Sequence, residues 1–293
     1  MERFQHFETT TTDTILRRAE QIVAEIMPNQ VDQMLTFSNA CQMGTSTQMD
    51  YRLKMPKYQL LSSTLRSEGA RTRPQAQDWY YVYGHLKEFS TEIAITDESR
   101  GVEGNDLQIR STIEAQAAGF AWDKENEMRD AIIAGAGSSD PASGPWDDPA
   151  TDIARDLAEV IGDIFGNTFM MESDIRNIQI FFPAKLWTFL AKPLEIGQIQ
   201  QSIRTWAQQN FNINFWPTRA LATDAVVVLK GPRTVRHLTY TGPGMRSVEY
   251  ERKAGVGDVF IYKQAYNTKV IPDTEDGNNN QKIRVIEDVL SST

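Results

Sequence analysis

The side chains able to carry chemistry are few and poorly spaced for it. His6, His85 and His237 are the only imidazoles, and Cys41 is the only thiol. A zinc site would need an HxxxH-type pair, and a hydrolase would need a GxSxG serine or a cysteine with a histidine to take its proton. Neither spacing occurs. His85 and His237 fall in alternating, strand-like segments and read as surface or half-buried side chains. Cys41 has no basic neighbour that would favour a thiolate. One cysteine also excludes an intrachain disulfide and a four-cysteine metal site. Asp97-Glu98 and Asp147-Asp148 are adjacent carboxylates, and adjacent side chains in a strand or loop diverge, which disfavours a general acid/base pair. The tryptophans are scattered and read as packing anchors. The expectation is no catalytic residue, no cofactor-binding residue and no metal ligand.

Residues 132–144 read IIAGAGSSDPASG. Glycines followed by small polar residues can hold phosphate on backbone N–H groups. A dinucleotide fingerprint, however, needs a strand, a glycine turn and a helix, with a third glycine at fixed spacing. The preceding sequence is helical, Asp140 stands where that glycine would be, and no GK[ST] follows. The segment therefore predicts a helix stop at Gly135 and Gly137, then a mobile loop through Pro141, Gly144, Pro145 and Pro149.

The elements that would position these groups are mixed. Apolar residues recur at helical spacing in 13–27, where Thr12 or Asp13 can cap the start and Pro28 ends the run. Residues 29–50 are polar and weakly patterned, as in an extended arm rather than a core element. Two limbs follow, YRLKMPKYQLL and WYYVYGHLKEFSTEIAI, flanking a polar tip. In the second, Tyr81, Tyr83 and His85 alternate with Val82, Gly84 and Leu86, as on a two-faced ribbon. A two-stranded ribbon is not stable alone in water and exposes edge groups. Either it folds back on its own domain or a neighbouring molecule covers it. The clearest long helix begins at 105, with Ile109, Ile113, Ala117, Phe120 and Ala121 as its stripe. A second helix spans 151–165, capped by Thr151 or Asp152, with Ile153, Leu157, Val160, Ile161, Ile164 and Phe165 inward. NIQIFF reads as a buried strand, AKLWTFLA as a short helix after Pro183, and EIGQIQQSIRTWAQQNF as another helix. Six strands close the chain: INFWPT, DAVVVLK, VRHLTYT, SVEYERK, VFIYKQAYNTKVI and KIRVIEDV. The fold class is α+β.

The net charge of −9 disfavours a reader of duplex DNA, which would carry a basic excess. No window approaches the apolar length that crosses a bilayer. The first residues lack the apolar core of a signal peptide, and synthesis without export is the expectation. The charge is unevenly distributed. Arg52, Lys54, Lys57, Arg66, Arg71 and Arg73 make the ribbon basic, without aromatics interleaved among its arginines. Asp140, Asp147, Asp148, Asp152, Asp156, Glu159, Asp163, Glu172 and Asp174 make 140–174 acidic, with Arg155 almost alone against them. Two solvated surfaces would suffice to explain this. Complementary patches on copies of one chain would also explain it, because opposite charge steers association and sets register. The candidate contact residues are the six ribbon cations with Asp147, Asp148, Asp152 and Asp156.

The order of these elements resembles tailed-phage major capsid proteins with the Hong Kong 97-like fold. The resemblance rests on the ribbon returning into Thr96-Asp97-Glu98 and the long helix with its alanine-rich end at Gly135-Ala136-Gly137. It also rests on the strand-to-helix step NIQIFFPAKLWTFLA, and on DAVVVLK and GDVFIYKQAYNTKVI as later strands. The turn SRGVEGN departs from the family in lacking apolar residues, and no long N-terminal scaffolding segment is apparent. Lys54, Lys57 and Lys87 have no matching motif for the lysine–asparagine crosslink of some relatives, so none is expected. The resemblance implies an N-terminal arm with a short helix (1–50), an extended ribbon or E-loop (51–97) and a peripheral domain with a spine helix (98–187). An axial domain (188–245) and return strands to the peripheral domain (246–293) would follow. It implies a viral major capsid protein, not an enzyme, self-assembling into an icosahedral shell around a DNA genome touched without sequence specificity. The partners would be other copies in pentamers and hexamers, with scaffolding, portal or decoration proteins. The location would be the virion after assembly in the host cytoplasm, with no cofactor and no membrane. Encapsulin-type nanocompartment shells, which enclose cargo enzymes, share the fold and remain the alternative, and the N-terminal helix suits them. An unrecognised α+β enzyme stands third.

Overall fold

A computed structural model describes residues 20–21, 23–57, 78–95, 105–168, 177–191, 193–196, 199–244, 247–253, 257–274 and 277–291. Residues 23–34 are helical (α1). Pro28 lies inside this helix rather than ending it, although a proline there removes one hydrogen bond and crowds the preceding turn. Val23, Met27, Val31 and Leu35 are all buried and follow one another at four-residue spacing, so a single apolar stripe runs past the proline. Burial on both sides outweighs a local penalty of about 3 kcal/mol.

Residues 35–41 are likewise core, and 42–46 is a sheet strand with exposed and half-exposed side chains, not a free arm. Phe37 heads a short 3-10 turn and stacks on Phe181 with ring centroids 4.5 Å apart. Ala40 and Cys41 are buried, and β1 (Gln42–Ser46) pairs in parallel with β11 (Val235–Tyr240). The polar composition of this stretch conceals how few apolar side chains are needed once each is fully enclosed.

The second predicted limb divides at Leu86. β2 (Asp50–Pro56) and β3 (Trp79–His85) form the ribbon, whereas β4 (Lys87–Ile95) leaves it and pairs antiparallel with β13 (Gly257–Val270). The predicted turn at 96–98 lies outside the described residues. α2 (Asn105–Ala134) is one helix of 30 residues. Its first half buries Ile113, Ala117, Phe120 and Ala121 against α1 and the sheet that contains β4 and β13. Its second half buries Met128 and Ile132 against the other sheet.

The chain does not loop freely after α2. Residues Ala136–Pro141 form β5, parallel to β14 (Asn280–Glu287). A Cβ on Gly135 would come within 2.5 Å of the Val270 side chain, and one on Gly137 within 2.7 Å of the Gln281 Cα. The Gly-x-Gly therefore permits close backbone approach between strands, in addition to stopping the helix. α3 (Ile153–Asn167) begins where Asp152 accepts a hydrogen bond from the Arg155 backbone N–H. β6 (Ile178–Pro183) leads through a 3-10 turn into α4 (Trp187–Leu190). The predicted helix over 195–211 is helical only at α5 (Ile203–Phe211), capped by Ser202. Before it, β7 (Pro193–Ile196) and β8 (Ile199–Ser202) make a hairpin. Ser202 competes for the backbone N–H of Thr205, which starts the helix there and no earlier.

Two five-stranded sheets organise the molecule. The first runs β1-β11-β13-β12, with β12 spanning Val248–Lys253 and β4 also on β13. The second runs β5-β14-β10-β6-β9, with β9 at Asn214–Thr218 and β10 at Ala225–Leu229. α3 covers one face of the second sheet, packing Ile153, Leu157, Val160 and Ile164 against Ile180, Phe182, Val227 and Ile286. The end of α2 and residues 35–41 cover the other face, against Phe181, Val226, Val228 and Ile283. Strands buried on both faces read as unbroken apolar runs, which is why IQIFF and AVVVL show no alternation. Among the described residues, no helix is long and apolar enough to cross a membrane.

Candidate functional site

The ribbon has two unlike faces. Its inner face is committed to the chain's own body. Tyr51, Met55, Tyr80 and Val82 are buried, and the Tyr80 hydroxyl donates to the Pro272 carbonyl at 2.6 Å. Asn267 Nδ2 donates to the Tyr51 hydroxyl at 3.2 Å and to the His85 carbonyl at 2.9 Å. Tyr51 fills the space above Gly84, so any larger residue at 84 would displace its ring. Of the two sequence alternatives, the described part of the ribbon takes the first on this face and folds back.

The outer face is solvent-exposed and chemically distinct. The register sets Arg52 opposite Tyr83, Lys54 opposite Tyr81 and Pro56 opposite Trp79. The Arg52 guanidinium lies 5.4 Å from the Tyr81 ring centroid, and the Lys54 ammonium 4.7 Å from that of Trp79. Asp50 and His85 close the inner end of this face at 2.7 Å. Along the sequence no aromatic is interleaved with the ribbon's arginines, but across its two strands Arg52 and Lys54 lie among Trp79, Tyr81 and Tyr83. The cations sit on one strand and the aromatics on the other, so only the register interleaves them. Lys57 is half-buried and hydrogen-bonds through its backbone N–H to Asp78. Arg66, Arg71 and Arg73 lie outside the described residues.

The predicted acidic partners gather around the start of α3. Asp147 accepts from the Ser291 hydroxyl and backbone N–H, and the hydroxyl bond holds its carboxyl below the usual carboxylate range. Asp148 accepts from the Ala150 backbone N–H, and Asp152 caps α3. Both remain exposed. Asp156 is buried instead. It accepts from Trp146 Nε1 at 2.9 Å and from the Ser143 N–H at 3.2 Å, which fastens the 142–150 loop to the helix. It is a packing anchor, and its place three residues after Ile153 and four before Val160, on the apolar side of α3, is the sequence signal that a count of charges passes over.

A buried polar belt crosses the middle of α2, and sequence gave no sign of it. Lys124 Nζ donates to Gln264 Oε1 at 3.1 Å and lies 3.6 Å from Asp32 of α1. Burial pushes its pKa down. Glu125 accepts from the Phe37 backbone N–H, and Glu127 from the Thr268 N–H and hydroxyl. Burial raises both carboxyls despite those bonds. Thr268 Oγ1 also meets His237 Nδ1 at 2.9 Å. Because that hydroxyl's single proton points to Glu127, the imidazole must donate from Nδ1, which leaves Nε2 buried with no hydrogen bond. Contrary to the half-buried expectation, His237 is fully enclosed, and burial pushes its pKa down to about 3. Cys41 is buried in the same region, and desolvation pushes its thiol pKa up. The belt ties α2 to α1, the 35–41 segment and β13. Its groups are enclosed or internally bonded, as suits positioning. Among the described residues, no cluster of histidine, cysteine, aspartate or glutamate could hold a metal ion.

Two five-stranded sheets, one long helix that packs on both and a ribbon held by its inner face on the body make up this arrangement. The chain has the Hong Kong 97-like fold. It is similar over 91% of its length, with a TM-score of 0.64 and 13% identity, to a virus-like particle protein from Pyrococcus furiosus, of which 98% is covered. It is similar over 86% of its length to the capsid of Myoviridae phage XM1, with a TM-score of 0.57, 14% identity and 91% of that chain covered. The capsid of a native GTA particle matches over 87% of this chain and 90% of its own, with a TM-score of 0.58 and 9% identity. No family model matches the chain, and no curated protein matches it.

Proposed function

We propose that this protein is a viral major capsid subunit, a structural rather than catalytic protein, and that its copies close into an icosahedral shell around a DNA genome. The carrying observation is a likeness that runs over nearly the whole of this chain and of proteins solved as a virus-like particle and a phage capsid. The ribbon supports the reading, because it projects an exposed face of cations and aromatics from an acidic molecule. In this reading the segments 1–50, 51–97, 98–187, 188–245 and 246–293 serve as arm, ribbon, peripheral domain, axial domain and return strands. Arg52, Lys54, Lys57, Arg66, Arg71 and Arg73 face Asp147, Asp148 and Asp152 of a neighbour, and Asp156 has no part because its oxygens are bonded internally. Pentamers and hexamers form in the host cytoplasm, with scaffolding, portal or decoration proteins supplied separately.

Mass photometry and negative-stain microscopy of the purified full-length chain test this. Closed particles of megadalton mass are expected, and a small oligomer at every concentration would refute the shell. DNA inside particles recovered from an infected host supports the virus, whereas enclosed enzyme without a genome would mark an encapsulin-type compartment.

A further inference from the structure

We propose that the cleft where the end of α1, the middle of α2 and the end of β9 meet is a binding site for a small amphiphilic carboxylate, one anionic head on an aliphatic body. Such a site belongs to the folded subunit and operates whether or not copies close into a shell.

The walls set the body of the ligand. The cleft has a volume of about 420 Å3, within the range of small-molecule sites. Met34 of α1, Ala118 and Trp122 of α2, and Pro217 of β9 line it. Met34 is 49% exposed and Trp122 45%, so the chain leaves two of its large apolar side chains uncovered here. A single exposed apolar side chain is ordinary, but two that line one concavity mark a surface meant to be covered. A thioether, an indole ring and alanine methyls offer dispersion contacts to a hydrocarbon chain.

The head is set by what the lining leaves unbonded. Glu125 accepts hydrogen bonds from the Phe37 backbone N–H, from the Thr218 hydroxyl and from Thr36. Thr218 in turn accepts from the Ala220 N–H. Among the lining side chains, the Arg219 guanidinium and the Trp122 indole N–H make no hydrogen bond or ion pair with the described residues. Both are donors without acceptor capacity. A sugar, a nucleobase or an amide would bring donors of its own and leave them unmatched. An amine would find no free carboxylate, because Glu125 is buried and its oxygens are taken. A carboxylate brings acceptors only, and its charge complements Arg219. The backbone beside Arg219 is pinned as well. The Ala220 carbonyl accepts from Arg129 Nη1 at 2.6 Å, and its N–H donates to the Thr218 hydroxyl at 3.1 Å. The cation is therefore held at the rim before any ligand arrives, which lowers the ordering cost of binding.

The test titrates octanoate into the full-length chain, with octanol and octylamine as its neutral and cationic isosteres. Binding is read by calorimetry and by the thermal unfolding midpoint. Octanoate is expected to bind saturably and raise the midpoint, as any ligand of the folded state does. Octanol is expected to bind at least ~10-fold more weakly, and octylamine more weakly still. Arg219→Gln is expected to remove the advantage of octanoate over octanol while leaving octanol unchanged. Ala118→Phe is expected to fill the cleft and abolish both, and Trp122→Ser serves if that variant fails to fold. No saturable octanoate binding, equal binding of the three head groups, or an Arg219→Gln chain that binds octanoate like the wild type overturns the proposal. Octanoate affinity that falls as protein concentration rises would show a second copy covering the cleft and overturns it too. Particle formation decides the shell reading separately, so either can fail alone.

Discussion

His237 is where residue chemistry departs furthest from what its neighbours in sequence suggest. It lies in an alternating strand, yet it is enclosed by Thr268, Tyr266 and the α2 belt, with Lys124 adding a like charge that opposes protonation. Its folded pKa of about 3 lies below the ordinary 6.5. The unfolded chain therefore binds a proton over that interval and the folded chain does not. Stability contributed by the neutral ring is complete above pH 6.5 and is lost as pH falls toward 3. By pH 4 the loss amounts to at most about 3 kcal/mol. Glu125 and Glu127 act in the opposite sense, since their raised carboxyls take up protons in the folded state before the unfolded one does. His237→Gln keeps a donor to Thr268 and removes the titration. Urea midpoints measured from pH 7 to pH 4 are expected to fall less in that variant than in the wild type, and parallel profiles would show that His237 is not the group responsible. None of this was legible in the sequence. A strand histidine gives no sign of enclosure until the helix that covers it is placed.

At the scale of elements, pattern succeeded where one element meets one environment. The α3 face, the two apolar strands of the second sheet and five of the closing strands stand close to where periodicity put them, because each packs with a constant orientation. The α2 helix and its stripe also stand where periodicity put them. Pattern failed at β4, which leaves the ribbon for β13, and at β5, which forms from a stretch that reads as loop. The last depends on Gly137, whose missing side chain lets β5 lie against Gln281 and Asn280. Gly137→Ala is expected to destabilise by about 1–3 kcal/mol in urea unfolding, as overpacking does. Gly162 on the exposed side of α3 has nothing within 4 Å of a built Cβ, so Gly162→Ala is expected to stabilise by up to about 1 kcal/mol. Equal effects at the two sites would refute the close-approach account of the Gly-x-Gly.

At the scale of the whole molecule, the proposed contact between copies is a matter of charge. The ribbon tip, with Arg66, Arg71 and Arg73, is basic within a chain of net charge −9. Each exposed ion pair contributes little alone, on the order of 0–1 kcal/mol, and a closed shell repeats it many times. Reversing the three arginines to glutamate is expected to leave a folded, soluble protein that assembles poorly. Wild-type assembly is expected to weaken as salt rises, because exposed charges are screened beyond about 10 Å at 0.1 M. Normal particles from the reversed chain, seen by negative stain at low and high salt, would release the tip from that role.

The sequence by itself determined the α+β class, most helix and strand positions, the basic ribbon and the acidic α3 region. It also marked a resemblance to shell subunits through the order of elements. Those properties are local or additive, and periodicity, caps and charge counts register them directly. Only the tertiary structure decided that Pro28 lies inside a helix, that residues 35–41 are core and that 42–46 is a sheet strand. It alone decided that Asp156 is buried while Asp152 is exposed, and that Arg52 and Lys54 lie among Trp79, Tyr81 and Tyr83. Each of these depends on what a residue meets across the fold. Register is set by a strand remote in the chain, as 79–85 sets that of 50–56, and even the local bond of Trp146 to Asp156 is decided only when the loop between them folds back on the helix.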